Sequence, residues 1–214
     1  MTTVRSESDA LHELLQHPRL WRARDDSFSR SATLPSGFAE LDARLPGGGW
    51  PARGLVELLV EHAGIGELSL VMPPLAQCLE RDPAAWLAWI APPHEPYAPA
   101  LVAHGVDPDR VLVVRTNQAT WAMEQTLRSS ACAAVLSWVD TSDLRSLRRL
   151  KLATEKSGVL SFMFRSARQR MQPSPAELRL VLSPARSGLE IELLKSRGST
   201  AGGIVLPMTL GRIC

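Results

Sequence analysis

Between about residues 55 and 164, short apolar runs alternate with amphipathic stretches at helical spacing, and few folds accept that order. Leu55–Val60, Trp86–Ile90, Val111–Val114, Ala133–Val139 and Gly158–Phe164 are bounded by turn residues and read as buried strands. Leu68–Leu79, Ala100–His104, Ala119–Ser130 and Asp143–Lys156 read as the helices between them, with Pro73-Pro74 as the exception to the pattern of the first. Strands joined by helical crossovers run parallel and need cover on both faces. The expected fold class is α/β, a mostly parallel sheet flanked by helices.

The flanks differ from this middle. Upstream, Pro35-Ser36-Gly37 forms a turn, and Phe38, Leu41 and Leu45 lie on one face of a short helix. Gly47-Gly48-Gly49 ends that helix, because glycine accepts the left-handed conformation of a C-cap. Downstream, Glu177–Ser183 and Leu189–Leu194 alternate apolar and polar residues around Pro184–Gly188, which predicts an antiparallel hairpin at one edge of the sheet. Ile204–Met208 is an edge strand or an exposed docking peptide. The flexible Gly198–Gly203 stretch before it favours docking. At the other end, Leu11, Leu14 and Leu15 form a helical stripe, and Leu20-Trp21 precedes the charged linker Arg22–Arg30. The chain divides into an N-terminal helix and linker (1–33), a core with its edge hairpin (34–196) and a tail (197–214).

Composition sets the class. Of 214 residues, 45% are hydrophobic and 21% charged, which excludes a disordered chain and permits a sizeable core. No apolar run approaches the roughly 18 residues of a membrane span, and the N-terminus lacks a signal-peptide apolar region, so a cytoplasmic location is expected. Cys78, Cys132 and Cys214 are far apart and have no paired spacing, as in a reducing compartment. The five histidines follow no metal-ligand pattern, so no metal is expected. Charge is uneven. Residues 1–140 hold 11 Lys and Arg against 17 Asp and Glu, a net of −6. Residues 141–214 hold 13 against 5, a net of +8. Arg145, Arg148, Arg149, Arg165, Arg168 and Arg170 make a candidate patch for DNA or an acidic partner, against the simpler reading of a solvated face.

The strand, glycine loop and helix over 55–79 stand where a phosphate-binding loop would. Such a loop needs Gly-x-x-x-x-Gly-Lys-Ser/Thr: glycines for backbone approach, lysine for the phosphates, a hydroxyl for magnesium. Here the loop ends Gly64-Ile65-Gly66-Glu67-Leu68-Ser69. With Gly66 as the final glycine, Glu67 takes the lysine position and Leu68 the hydroxyl position. A carboxylate a few ångströms from a phosphate costs about 1 kcal/mol in water and several times that near a protein surface. No lysine lies anywhere between Glu61 and Ser69, so no shift of register restores the site.

The stretch LPSGFAELDARLPGGGWPARGLVELL resembles the segment that leads into the phosphate loop of RecA-type recombinases, and HGVDPDRVLVV resembles their third core strand. From Pro18–Trp21 to GLEIELLKSRG at 188–198 the chain resembles the ImuA family, bacterial RecA-like accessory proteins of translesion synthesis. The resemblance implies a RecA-like core. It places Pro93 at the catalytic glutamate's position, with Glu95 two residues away, and Trp138 at the Walker B aspartate's position, with Asp140 beyond. Three losses together imply a chain that is not an enzyme and binds no nucleotide cofactor.

The same resemblance implies damage-induced expression and partnership with RecA, with an ImuB-like Y-family polymerase homologue and with an error-prone replicative-type DNA polymerase. DNA itself is a further candidate partner. The N-terminal residues Leu11, Leu14, Leu15, Leu20 and Trp21 are the expected partner-binding segment. Two alternatives stand beside this reading: a SulA-like cell division inhibitor, and a nucleotide-dependent DNA-binding recombinase paralogue.

Overall fold

The computed structural model describes residues 32–141, 143–195 and 203–207. Strand β3 (Gly54–Val60) is buried along its whole length. It lies inside an eight-stranded sheet with β4 (Trp86–Ile90), β5 (Val111–Val114), β6 (Cys132–Trp138), β7 (Leu160–Ser166), β8 (Leu178–Ala185), β9 (Gly188–Lys195) and β10 (Gly203–Pro207). The order is β10-β9-β8-β3-β7-β6-β4-β5. All pairings from β8 to β5 are parallel, and β9 and β10 extend the β8 edge in antiparallel fashion. The expected hairpin is therefore present. It sits next to β3, the first strand of the parallel series.

Two apolar layers cover the sheet. On one face, α1 (Ala39–Asp42), α2 (Glu67–Arg81) and α3 (Ala98–Ala103) contribute to a core containing Trp50, Leu70, Leu75, Leu101 and Phe162. On the other, α4 (Ala119–Ser129) and α5 (Leu144–Ser157) bury Met123, Leu127, Leu147 and Leu150 against Leu55, Val135 and Met163. Residues two apart on β3 thus serve opposite layers from their neighbours, as a strand requires. On α5, Leu144 is only half-buried.

Several boundaries move for identifiable reasons. Helix α2 runs through Pro73 and Pro74 although each removes a backbone donor. Leu70, Val71, Leu75 and Leu79 are buried on the same helix, and that packing holds it together. Pro73 also fills the space beside Gly37 (φ +85°), where an added Cβ would lie 2.9 Å from Pro73 Cγ. Gly158 (φ +70°) is the C-cap of α5 and not the start of β7. Residues 203–207 pair with Gly188–Glu192 of β9, so this part of the tail is an edge strand and the docking-peptide reading falls for it. A small antiparallel pair, β1 (Thr33–Leu34) with β2 (Trp50–Pro51), was not anticipated. Among the described residues, no helix is long and apolar enough to cross a membrane.

Candidate functional site

The loop between β3 and α2 is closed by its own side chain. Gly66 (φ +100°) is the N-cap of α2, and Glu67 is the first helical residue. The Glu67 carboxylate turns back and accepts the Gly64 N–H at 3.0 Å and the Ile65 N–H at 2.9 Å. It is 3% exposed. Free N–H groups at the start of a helix attract an anion, and here an internal carboxylate already satisfies two loop amides.

A crevice of about 620 Å³ opens beside this loop. Its walls are largely apolar: Leu68 and Met72 from α2, Trp89 from β4, Tyr97 and Leu101 from the proline-rich segment and α3, and Trp138 from β6. The crevice lies at the carboxyl ends of the parallel strands, where open α/β sheets place ligands. Ser69 faces it from the first turn of α2.

The remaining positions singled out in the sequence supply little acid–base chemistry here. Pro93 lines the crevice and carries no titratable group. Glu95 lines it too, but is exposed and ion-paired with Arg115. Trp138 fills the end of β6 with an indole that stacks on Phe164 (centroids 4.9 Å, planes 16° apart) and tilts against Trp89 (5.7 Å). Strand β6 stops at Trp138, and exposed Asp140 accepts a 3.5 Å bond from Gln169 Nε2.

The basic patch holds only in part. Arg165 is 2% exposed; it donates to Glu57 and to the Thr141 carbonyl, so it cannot belong to a surface for DNA or a partner. Its position on β7 turns it into the sheet's own layer, which sequence spacing did not reveal. Arg170 is held by Glu192 through two bonds of 2.8 and 2.6 Å. Arg149 pairs with Glu124. Arg145, Arg148 and Arg168 are exposed. Leu11, Leu14, Leu15, Leu20 and Trp21 lie outside the described residues.

Two features escaped the sequence reading. Glu57, the one charge in the β3 run, is fully buried and accepts from both Arg165 and Arg179 Nε (2.6 Å). Its isolation among apolar residues was the available signal. The tryptophan pair that lines the crevice had none, since Trp89 and Trp138 are far apart in sequence.

No protein-family model matches the chain. The cell division inhibitor SulA of Edwardsiella piscicida is 32% identical over 137 residues, covering 63% of this chain and 77% of that protein. Protein ImuA of Caulobacter vibrioides is 26% identical over 201 residues, covering 81% of this chain and 82% of that protein. The crystal structure of SulA from Pseudomonas aeruginosa superimposes with a TM-score of 0.43 at 24% identity, over 52% of this chain and 97% of that one. The 32% identity to SulA over most of that protein, with the long ImuA match beside it, shows that the chain belongs to the SulA- and ImuA-like family.

Proposed function

We propose that the chain is a non-catalytic adaptor of an SOS-induced translesion synthesis complex, built on a RecA-like core whose nucleotide loop is retired. The observation that carries the reading is the Glu67 carboxylate on the amides of Gly64 and Ile65. A nucleotide phosphate would have to displace a buried anion from those donors, with Leu68 where a metal-binding hydroxyl would stand. Trp138 fills the position expected for a metal-binding aspartate. What remains is a scaffold of surfaces.

The match to Caulobacter ImuA, over 81% of the chain, supports the translesion assignment. Its partners are RecA and an ImuB-like Y-family polymerase homologue, with the error-prone replicative-type polymerase joined directly or through the latter. Leu11, Leu14, Leu15, Leu20 and Trp21 supply the apolar anchor for one of them. The SulA match favours a second reading, inhibition of cell division, because it has the higher identity of the two. Interferometry of the purified chain against RecA, with and without single-stranded DNA and ATP, and against an ImuB-like protein separates these. Binding to either partner that is independent of ATP is the expected result. Absence of both, with cell filamentation on overexpression, overturns the translesion reading in favour of the second.

A further inference from the structure

Helices α4 and α5 lie side by side on the face of the sheet away from the crevice, and the groove between them is not filled. It encloses about 410 Å³. On α4, Trp121, Glu124 and Arg128 follow one another at i, i+3 and i+7. On α5, Arg145, Arg149, Leu152 and Lys156 follow at i, i+4, i+7 and i+11. Both sets form single stripes. Leu127 and Ala153 contribute apolar lining, Leu152 is 63% exposed and Trp121 is 58% exposed.

The charges are unbalanced. Glu124 is paired with Arg149 and lies 4.0 Å from Arg128, so one carboxylate serves two guanidinium groups. Lys156 stands exposed at the far end of the groove and Arg145 at the near end of its stripe. Apolar surface bordered by cations fits a helix that carries leucine-type side chains on one stripe and carboxylates beside it.

The other occupants fit less well. A nucleic acid gains nothing from Leu152 and meets the Glu124 carboxylate. A second copy related by twofold symmetry would set Arg128, Arg149 and Lys156 against themselves. We infer that the α4–α5 groove is a docking site for an acidic amphipathic helix of a partner protein, with Leu152 and Trp121 as apolar contacts and Arg128, Arg149 and Lys156 as charge partners. The inference rests on the reading of the chain as an adaptor but uses no part of the crevice or its loop.

The test uses the full chain and fluorescence anisotropy. The probe is a labelled 14-residue peptide with leucines at i, i+3, i+4 and i+7 and glutamates between them, compared with its scrambled isomer and a single-stranded oligonucleotide. Expected are preference for the amphipathic peptide, weakening with salt, and a loss of about tenfold in affinity for both Leu152→Ser and the pair Arg149→Glu/Lys156→Glu. Arg168→Glu, outside the groove, leaves binding unchanged. Circular dichroism confirms that each variant is folded. Tighter binding of the oligonucleotide, unaffected by Leu152→Ser, overturns the proposal in favour of a phosphate surface. Peptide binding that appears only after removal of residues 1–31 overturns it in favour of the chain's own N-terminal segment, and dimerisation lost in Leu152→Ser overturns it in favour of a second copy. No binding of any probe overturns it outright. Peptide binding without RecA or ImuB-like association would leave the groove standing and remove only the translesion reading.

Discussion

Arg179 Nε donates to Glu57 Oε2 at 2.6 Å, and Arg165 donates to the other oxygen of the same carboxylate, so one fully buried glutamate holds two arginines of neighbouring strands. Removing the shared anion leaves two guanidinium groups facing each other in a dry layer. Breaking a buried pair in this way costs about 3–5 kcal/mol. Glu57→Ala is expected to lower the free energy of unfolding by that amount or to prevent folding. Arg165→Met is expected to cost less, since Arg179 still compensates Glu57. Urea denaturation of the two variants checks the order.

The loop carboxylate makes a second, graded prediction. Glu67→Ala strands the N–H groups of Gly64 and Ile65 beside the buried start of α2 and costs about 1–3 kcal/mol. Glu67→Gln keeps one acceptor and falls between. Equal stability of the three proteins in urea would show that the amides are satisfied some other way.

Gly54 has a left-handed backbone (φ +116°), and an added Cβ would lie 1.7 Å from Glu177 Oε2. That oxygen accepts the Leu55 N–H at 3.0 Å, and the carboxylate pairs with Lys151. Gly54→Ala therefore combines backbone strain, about 1–3 kcal/mol, with displacement of a half-buried acceptor. Adding Glu177→Ala to it removes the clash but not the strain. The double variant is expected to be less destabilised than the sum of the singles, read from denaturation of all three.

How much of this was legible follows from where each interaction closes. The parallel strands could be read because both faces are buried, which writes β3, β4, β6 and β7 as mostly apolar runs, interrupted in β3 only by Glu57. The hairpin could be read because apolar and polar residues alternate along it, and in β9 that alternation separates the core side from the outer side. Glu67 was visible as the wrong charge at a lysine position, but not that its carboxylate would turn onto the loop amides. The Glu57–Arg165 pair spans 108 positions and the Leu55–Glu177 contact 122, and no local pattern encodes either. Two-residue strands such as β1 and β2 are too short to show any period.

The buried thiols contribute to the behaviour at high pH. Burial pushes the Cys78 thiol up to about 11, partly opposed by Arg81, and burial also raises Cys132. A raised thiol pKa means that the unfolded chain loses its proton first. The stabilising contribution is complete below the ordinary thiol value near 9 and is lost as pH rises towards 11. Cys78→Ala is expected to flatten the decline of the urea midpoint between pH 8.5 and pH 11. Both thiols resist alkylation at pH 8 in the folded protein and react once urea is added, as site-resolved mass spectrometry would show.

Asp143 contributes to the behaviour at low pH. It is the N-cap of α5: its carboxylate accepts the Ser146 hydroxyl and the backbone N–H groups of Arg145 and Ser146, the last two at 3.0 Å each. Those bonds, the Ser146 hydroxyl first, hold its carboxyl below the usual range. The folded state thus holds its proton less tightly than the unfolded chain. The cap is complete above the ordinary aspartate value and is lost as pH falls through the lowered one. Asp143→Ala is expected to lower the Tm by a few degrees at pH 7 and to converge on the parent at low pH. Asp143→Asn keeps an oxygen acceptor but no charge, so it should sit between the two at pH 7 and show a flatter acid limb. Because α5 forms one wall of the α4–α5 groove, Asp143→Ala should also weaken the acidic peptide there. An unchanged acid limb in Asp143→Asn would place the pH dependence elsewhere.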